Sequence, residues 1–395
     1  MALSDTIESI FKKAKQGRIL FMDRNALSPE YVPDRLPFRE TQITSVAEIL
    51  APMLHGSKPS NLLLYGKTGT GKTAVAKYVV SKLKLQDSHF KIVTPYVNTR
   101  MAGTEYRTLV EISNQLGIPI PFTGLSIGEV VNRMFKEIKS NNVYAIFILD
   151  EIDYLVNAYG DGILYEFTRA GDRVTPGFLS LVGISNNLQF KEGLDPRVLS
   201  SLGEEEIIFP PYTVEELRAI LSERAKVAFR PDAVPESTIN LCAAMAGSEH
   251  GDARRAVELL RVAGEIAERE GFQKINESCI RKASEKAERD RIEEALHSLP
   301  LQNKIILLAV SKFNEGTNTG EVYLAYNSLA KKMSVEVLTQ RRVSGILAEL
   351  DLLGLLEAAI ISKGRRGRTK RIKLLIDPKL LTKIINEDSN TSTLI

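Results

Sequence analysis

The stretch NLLLYGKTGTGKTAVAKYVV, residues 61–80, decides the fold of this chain. Its first five residues are a short run dominated by apolar side chains, which predicts a buried strand. Its last residues set Val75, Tyr78 and Val79 at helical spacing, and Leu83 continues the stripe. Between them stands GKTGTGKT, residues 66–73, a fit to GxxxxGK[ST]. A chain of this length meets that pattern by chance with a probability on the order of a percent. A strand entering and a helix leaving are what a phosphate-binding loop needs.

The loop's chemistry follows from its residue types. Gly66, Gly69 and Gly71 allow the backbone to curl, with Lys67, Thr68 and Thr70 between them. Successive N–H groups then point at phosphate oxygens, and the helix adds its positive end. The cofactor expected is ATP or ADP: Lys72 is to reach the β- and γ-phosphates, the latter present in ATP alone, and the Thr73 hydroxyl to ligate Mg²⁺. Downstream, the apolar run 145–149 ends in Asp150-Glu151. An acid pair at a strand end says little alone. Behind a phosphate loop it predicts a Mg²⁺ ligand at Asp150, acting through water. It also predicts a base at Glu151 that orients and deprotonates the attacking water.

Two further polar sites are candidates. Ser185-Asn186-Asn187 follows the next predicted strand, where ligands bind in open parallel sheets. An amide there can bridge the γ-phosphate and the water, although an ordinary turn reads the same way. Arg254, in GDARR at 251–255, opens a later helix and is placed to reach back to the γ-phosphate. A solvated helix start is the plainer alternative.

Around these sites the chain divides into three. Residues 1–20 read as a short helix, followed by a Pro-rich irregular stretch and a helix at 41–54. Strands are expected at 61–65, 90–97, 145–149, 177–184 and 206–209, with helical patterns between them. That alternation predicts a parallel sheet covered on both faces. After Pro210-Pro211 only helices are expected: 214–229, 236–246, 253–270 and 277–296. Thr213 and Glu216 have capping-box spacing at the first. From Pro300 come helices at 302–314, 322–333 and 337–353. Strands at 355–361 and 369–376 follow, the order of a winged helix-turn-helix. The expected domains are therefore 1–210, 211–298 and 299–395, with a polar, disordered tail from about residue 386.

The 395 residues contain no run of 18 apolar side chains, which excludes a membrane span. The first 15 lack the apolar centre of a secretory signal. Cys242 and Cys279 have no metal-ligand spacing and fit a reducing cytoplasm. Charge is unevenly spread. Residues 300–395 hold 15 Lys and Arg against 9 Asp and Glu, a net +6, and the remainder is −3. The basic end therefore predicts a polyanion partner.

Within 337–353, Val343, Ile346, Leu347, Leu350 and Leu353 form a stripe that faces the core. Thr339, Gln340, Arg341, Arg342 and Ser344 then face outward near the helix start, where recognition helices meet base edges. The next loop and its flanks hold Lys363, Arg365, Arg366, Arg368, Lys370, Arg371 and Lys373, with no acid between Ile361 and Ile376. Seven cations with two glycines suit a phosphate backbone or a minor groove.

The set GKTGTGKT, ILDEID, GISNN, DPRVLSSLG, FPPY and GDARR, in this order and before a winged helix, resembles the AAA+ replication initiators of archaea. These are relatives of the eukaryotic origin recognition complex and its helicase-loading partner, the cell division control protein family. YVPDRLPFRE at 31–40 also looks like theirs, so the resemblance spans nearly the whole chain. It implies an α/β AAA+ domain, a helical lid and a winged helix. It also implies a slow ATPase used as a switch, at the chromosome in the cytoplasm. The implied partners are double-stranded origin DNA, a replicative helicase of the minichromosome maintenance type and other initiator paralogues.

By the same resemblance, Asn186 is similar to the sensor-1 Asn and Arg254 to the sensor-2 Arg. Tyr212 and Arg224 resemble the lid's nucleotide contacts. The segment 100–138, with PFTGLSIGEV, looks like the initiator-specific helix that touches DNA. One departure stands out. Where many relatives have Ser-Arg, this chain has Ser200-Ser201, which leaves Arg197 as the candidate arginine finger. A branch-migration motor and a nucleotide-sensing transcription regulator share parts of this plan. The Ser200-Ser201 pair opposes the motor, and intact Asp150 and Glu151 oppose the regulator.

Overall fold

A computed structural model describes residues 20–29, 31–86, 89–121, 123–248, 251–313, 316–362 and 368–387. The chain forms two compact units, residues 1–283 and 284–395.

The first unit is built on a parallel sheet. Strands β1 (Leu62–Gly66), β2 (Lys91–Val93), β3 (Tyr96–Asn98), β4 (Val143–Asp150), β5 (Phe178–Ser185) and β6 (Glu205–Phe209) lie in the order β2-β4-β5-β1-β6, with β3 also beside β4. β4 and β5 are buried along their whole length, because helices cover both faces. One cluster joins Phe147, Phe167, Met134 and Leu181, and the other Ile146, Val182, Val75 and Val79. Alternate residues of β4 thus feed opposite layers.

The single strand expected over 90–97 is two short strands. Thr94 and Pro95 separate them, and Pro95 has no N–H for the ladder. Its carbonyl still accepts from Ile148 N at 2.8 Å, so both pieces stay on β4. The segment 100–138 holds the helices Glu105–Gln115 and Ile127–Ser140. Both pack their apolar sides into the sheet's core.

The expected helices after Pro211 are present: Val214–Ala228, Glu236–Ser248, Ala253–Glu270 and Glu277–Ser298. Thr213 and Glu216 close the capping box at 2.9 and 3.2 Å. The helices gather around Leu217, Leu221, Leu260 and Ala263, with Cys242 and Cys279 buried as free thiols.

This core also takes Leu20, Phe21, Ala26 and Leu27. Phe21 rests on Phe229 at 4.5 Å between ring centroids, and Glu268 Oε1 accepts from the backbone N–H of Leu20 and Phe21. Residues 20–27 therefore pack with the helical lid, although chain order placed them in the first domain. The reason is apolar: their side chains complete the lid's core. The helix expected over 1–20 lies almost wholly outside the described residues.

The second unit is a winged helix. Helices Leu301–Ser311, Thr319–Lys332 and Gln340–Leu352 precede β8 (Leu356–Ser362) and β9 (Arg368–Leu374). A two-residue β7 (Thr317–Asn318) joins in the antiparallel order β7-β9-β8. Val343, Ile346, Leu347 and Leu350 are buried as expected, but Leu353 is 50% exposed because it is the C-cap, beyond the helix's last core turn. A helix absent from the sequence reading, Pro378–Glu387, buries Leu381, Ile384 and Ile385 in this core. Pro378 at its first position and apolar pairs four apart were its available signals. Most of the tail expected to be disordered lies outside the described residues. Among the described residues no helix is long and apolar enough to cross a membrane.

Leu296 belongs to the winged-helix core and is fully buried. A fragment of residues 284–395 should therefore unfold cooperatively by itself. Starting at residue 299 instead should lower its stability by about 1.5–3 kcal/mol, the scale for burying one leucine. Urea unfolding of both fragments measures this, and equal midpoints would place Leu296 outside the folding unit.

Candidate nucleotide site

The phosphate loop joins β1 to the helix Lys72–Lys84. Gly66, Gly69 and Gly71 have φ of 154°, 70° and 92°, values that L-residues rarely adopt. Lys67 and Thr68 are exposed at the crown of the loop, and the Thr70 hydroxyl donates to Lys67 O at 2.8 Å. Lys72 lies buried beneath, with Nζ donating to Gly66 O at 2.8 Å and Lys67 O at 2.7 Å. Burial pushes this ammonium down to about 8, against the pull of Asp150.

Asp150, at the end of β4, stands beside the loop. Its Oδ2 accepts from Thr73 Oγ1 at 2.7 Å and from Tyr96 Oη at 2.8 Å, and its Oδ1 accepts from Glu151 N at 2.9 Å. Glu151 has φ 53°, left-handed for a residue with a β-carbon. The Thr99 hydroxyl holds that turn by donating to Glu151 O at 2.6 Å. The Glu151 carboxylate accepts from Asn98 Nδ2 at 3.4 Å and lies 3.7 Å from Arg100 Nη1. At the end of β5, Ser185 and Asn187 bond to one another, and Asn187 caps the next turn through Gln189 N. Asn186 is left exposed between them.

The lid closes on the loop from the other side. Asp252 caps the helix Ala253–Glu270, and Ala253 N donates to Gly69 O at 3.2 Å. A β-carbon at Gly69 would stand 1.7 Å from Asp252 Oδ1, and one at Gly71 would stand 2.8 Å from Tyr212 Oη. Arg254, the next helix residue but one, is close enough to shift the charge balance of both Lys72 and Tyr96.

Arg39 binds these parts together. It is 2% exposed, donates to Thr70 O at 2.9 Å and Pro210 O at 2.6 Å, and lies 3.8 Å over the Tyr212 ring. One face of the Tyr212 ring is thus covered by a guanidinium. Arg224 donates to Ala26 O at 2.8 Å and Tyr31 O at 3.2 Å, fastening the early residues to the lid. Arg197 is exposed and folds back on Asp195 at 2.9 Å.

The structure therefore gathers residues 66–73, Asp150, Glu151, Arg254 and Tyr212 around one loop. Sequence reasoning did not single out Arg39, Tyr96, Asn98, Arg100 or Asp252. The charged residues within LPFRE and GDARR were visible signals for Arg39 and Asp252. Nothing short-range marks Tyr96 or Asn98.

These residues suit a Mg-nucleotide. Mg²⁺ is usually held by one or two carboxylates with phosphate oxygens and waters. Among the described residues no group of three His, Cys, Asp or Glu side chains forms another metal site.

On the winged helix, Thr339, Gln340, Arg341 and Arg342 are exposed at the start of Gln340–Leu352. Thr339 caps the helix through Arg342 N at 3.4 Å, and Ser344 donates to Gln340 O at 3.0 Å. Lys363, Arg365 and Arg366 lie outside the described residues, and Arg368 begins β9.

Comparison with known proteins agrees with this architecture. Residues 55–189 match an AAA domain, 218–285 the Cdc6 AAA+ ATPase-type lid domain, and 294–384 the CDC6 C-terminal winged helix domain. The chain is 46% identical over 397 residues to ORC1-type DNA replication protein 1 of Sulfurisphaera tokodaii, covering 99% of each chain. It is 46% identical over 389 residues to the protein of the same name from Sulfolobus acidocaldarius, covering 98% and 97%. The solved Aeropyrum pernix ORC1 protein in complex with DNA is similar at a TM-score of 0.84 and 44% identity, over 96% of this chain and all of that one. An AAA+ sheet domain with an intact phosphate loop, a Cdc6-type lid and a Cdc6-type winged helix, matched end to end by such relatives, make this chain a member of the ORC1/Cdc6 family of AAA+ DNA replication proteins.

Proposed function

We propose that this protein is an ATP-switched initiator that binds double-stranded origin DNA and recruits a replicative helicase of the minichromosome maintenance type. Similarity along the full chain to a DNA-bound relative supports the DNA half. The observation that carries it is the exposed start of the helix Gln340–Leu352, on a segment whose 300–395 stretch has net charge +6.

The nucleotide half follows from the loop. Lys72 contacts the β- and γ-phosphates, and its burial makes that contact strong. Thr73 and Asp150 are the residues that would hold Mg²⁺, which when bound neutralises charge on the phosphate oxygens. Glu151 takes the proton of the attacking water after leaving Asn98 and Arg100. Asn186 aligns that water from the end of β5. Arg254 brings the lid's charge to the γ-phosphate, so the lid distinguishes ATP from ADP. Arg197 serves as the finger toward a neighbouring initiator's nucleotide, once it has left Asp195. Hydrolysis is slow and resets the switch. Tyr212 acts on the nucleotide by holding Arg39 over the loop, and Arg224 by fastening Ala26 and Tyr31 to the lid.

Lys72→Ala should abolish nucleotide binding, since no other loop cation occupies its place. Glu151→Gln should bind ATP and fail to hydrolyse it. Calorimetry and phosphate release measure the two, and wild-type turnover by Glu151→Gln would remove Glu151 as the base.

DNA binding divides differently. Arg342→Ala should narrow the gap between origin and random duplex by about 1–3 kcal/mol, the value of one guanine-paired arginine. Arg366→Ala should weaken all duplexes alike and reduce the slope of log K on log salt by about one. Footprinting on the protein's own chromosome, followed by salt titrations, tests both. Full-length protein indifferent to sequence at physiological salt would sink the initiator reading.

A further inference from the structure

Besides the loop's Thr73 and the neighbouring Glu151 N–H, the Asp150 carboxylate has a third donor, from another strand. A carboxylate offers about four lone-pair positions. Thr73 Oγ1 and Tyr96 Oη take two on Oδ2, and Glu151 N takes one on Oδ1. The remaining position on Oδ1 is directional because the other three are fixed. By donating its hydrogen to Asp150, Thr73 also turns its own oxygen lone pairs away from the carboxylate.

Tyr96 is itself held at several points. β3 runs parallel to β4 with Tyr96 level with Ile148 and Asn98 level with Asp150, so the phenol reaches forward by two residues. Lys77 Nζ lies 4.1 Å from the ring centroid on the side of the helix Lys72–Lys84. The peptide is gripped on both sides by one amide: Tyr96 N donates to Gln115 Oε1 at 2.9 Å, and Gln115 Nε2 donates to Tyr96 O at 2.9 Å. Gln115 ends the helix Glu105–Gln115, inside the segment 100–138 proposed to touch DNA. The phenol is half-buried, and a tyrosine hydroxyl carries its proton at neutral pH. It is therefore a permanent donor.

We propose that Tyr96, anchored by Gln115, is a positioning residue that orients the Asp150 carboxylate for Mg²⁺ and ties it to the segment 100–138. This rests on the reading of Asp150 as the metal's carboxylate. Losing an outer partner of a metal ligand typically weakens metal binding by about 10–100-fold. The phenol is one of three donors, which places its loss at the lower end.

The test is a Mg²⁺ titration of full-length protein with a fluorescent ADP analogue, which reads metal affinity without hydrolysis. Tyr96→Phe keeps the ring and removes only the donor. It should raise the half-saturating Mg²⁺ by about 10-fold, with ADP affinity in EDTA and melting temperature unchanged. Gln115→Ala should shift the midpoint in the same direction, and the double variant should add less than the sum of the two. A Tyr96→Phe midpoint equal to wild type overturns the inference, as does an equal loss of ADP affinity with and without Mg²⁺. An unshifted Gln115→Ala overturns the anchoring. Wild-type binding that ignores Mg²⁺ would instead overturn the metal site itself, a failure of the earlier reading.

Discussion

The phosphate loop is packed from outside against its own backbone, and the rest of the nucleotide site depends on that contact. Two of its glycines leave space that side chains would fill, and the lid occupies it with the Asp252 carboxylate and the Tyr212 hydroxyl. Arg39 and Ala253 then take the carbonyls of Thr70 and Gly69. Buried carbonyls need partners, and these come from Arg39 and the lid rather than from the loop itself. Loop shape and lid position therefore cannot vary independently. Shifting the lid strips partners from the loop, and reshaping the loop around a ligand presses on Asp252 and Tyr212.

Charge is handled by the same economy of space. Lys72, Asp150 and Arg39 are all nearly out of water, where an unpaired charge is strongly unfavourable. Lys72 rests on two carbonyls, Asp150 on three donors, and Arg39 on carbonyls and the Tyr212 and Phe209 rings. Each of these charges is thus held by protein groups. Preorganised donors of this kind need little rearrangement when charge develops on a bound phosphate. Glu151 is the exception. Its main chain is pinned in a left-handed conformation, while its carboxylate makes long contacts to Asn98 and Arg100.

Features fixed by short-range pattern were legible in the sequence. The loop, the strand ending in Asp150 and the four lid helices each have a local signature, so their places follow from spacing alone. The winged helix was legible for the same reason. What sequence reading missed depends on contacts across the chain. Tyr96 is 54 residues from Asp150, and Arg39 is 171 from Pro210. Residues 20–27 look like part of the neighbouring sheet domain until the lid's apolar gap is seen. The break at Pro95 was visible in principle, since the missing N–H is a property of the residue itself.

Arg197 shows how the departure at Ser200-Ser201 fits such a site. The loop holds its own charges by burial, whereas Arg197 is exposed and rests on Asp195 and the nearby Tyr165 ring. Its hydrogen bonds lower the Asp195 carboxyl to about 2, so the pair persists at neutral pH. An exposed pair of this kind is screened by water and salt and is weakly held. A phosphate offers more negative charge and better hydrogen-bond geometry than one carboxylate. The buried loop residues are therefore locked, and Arg197 is loosely parked on Asp195.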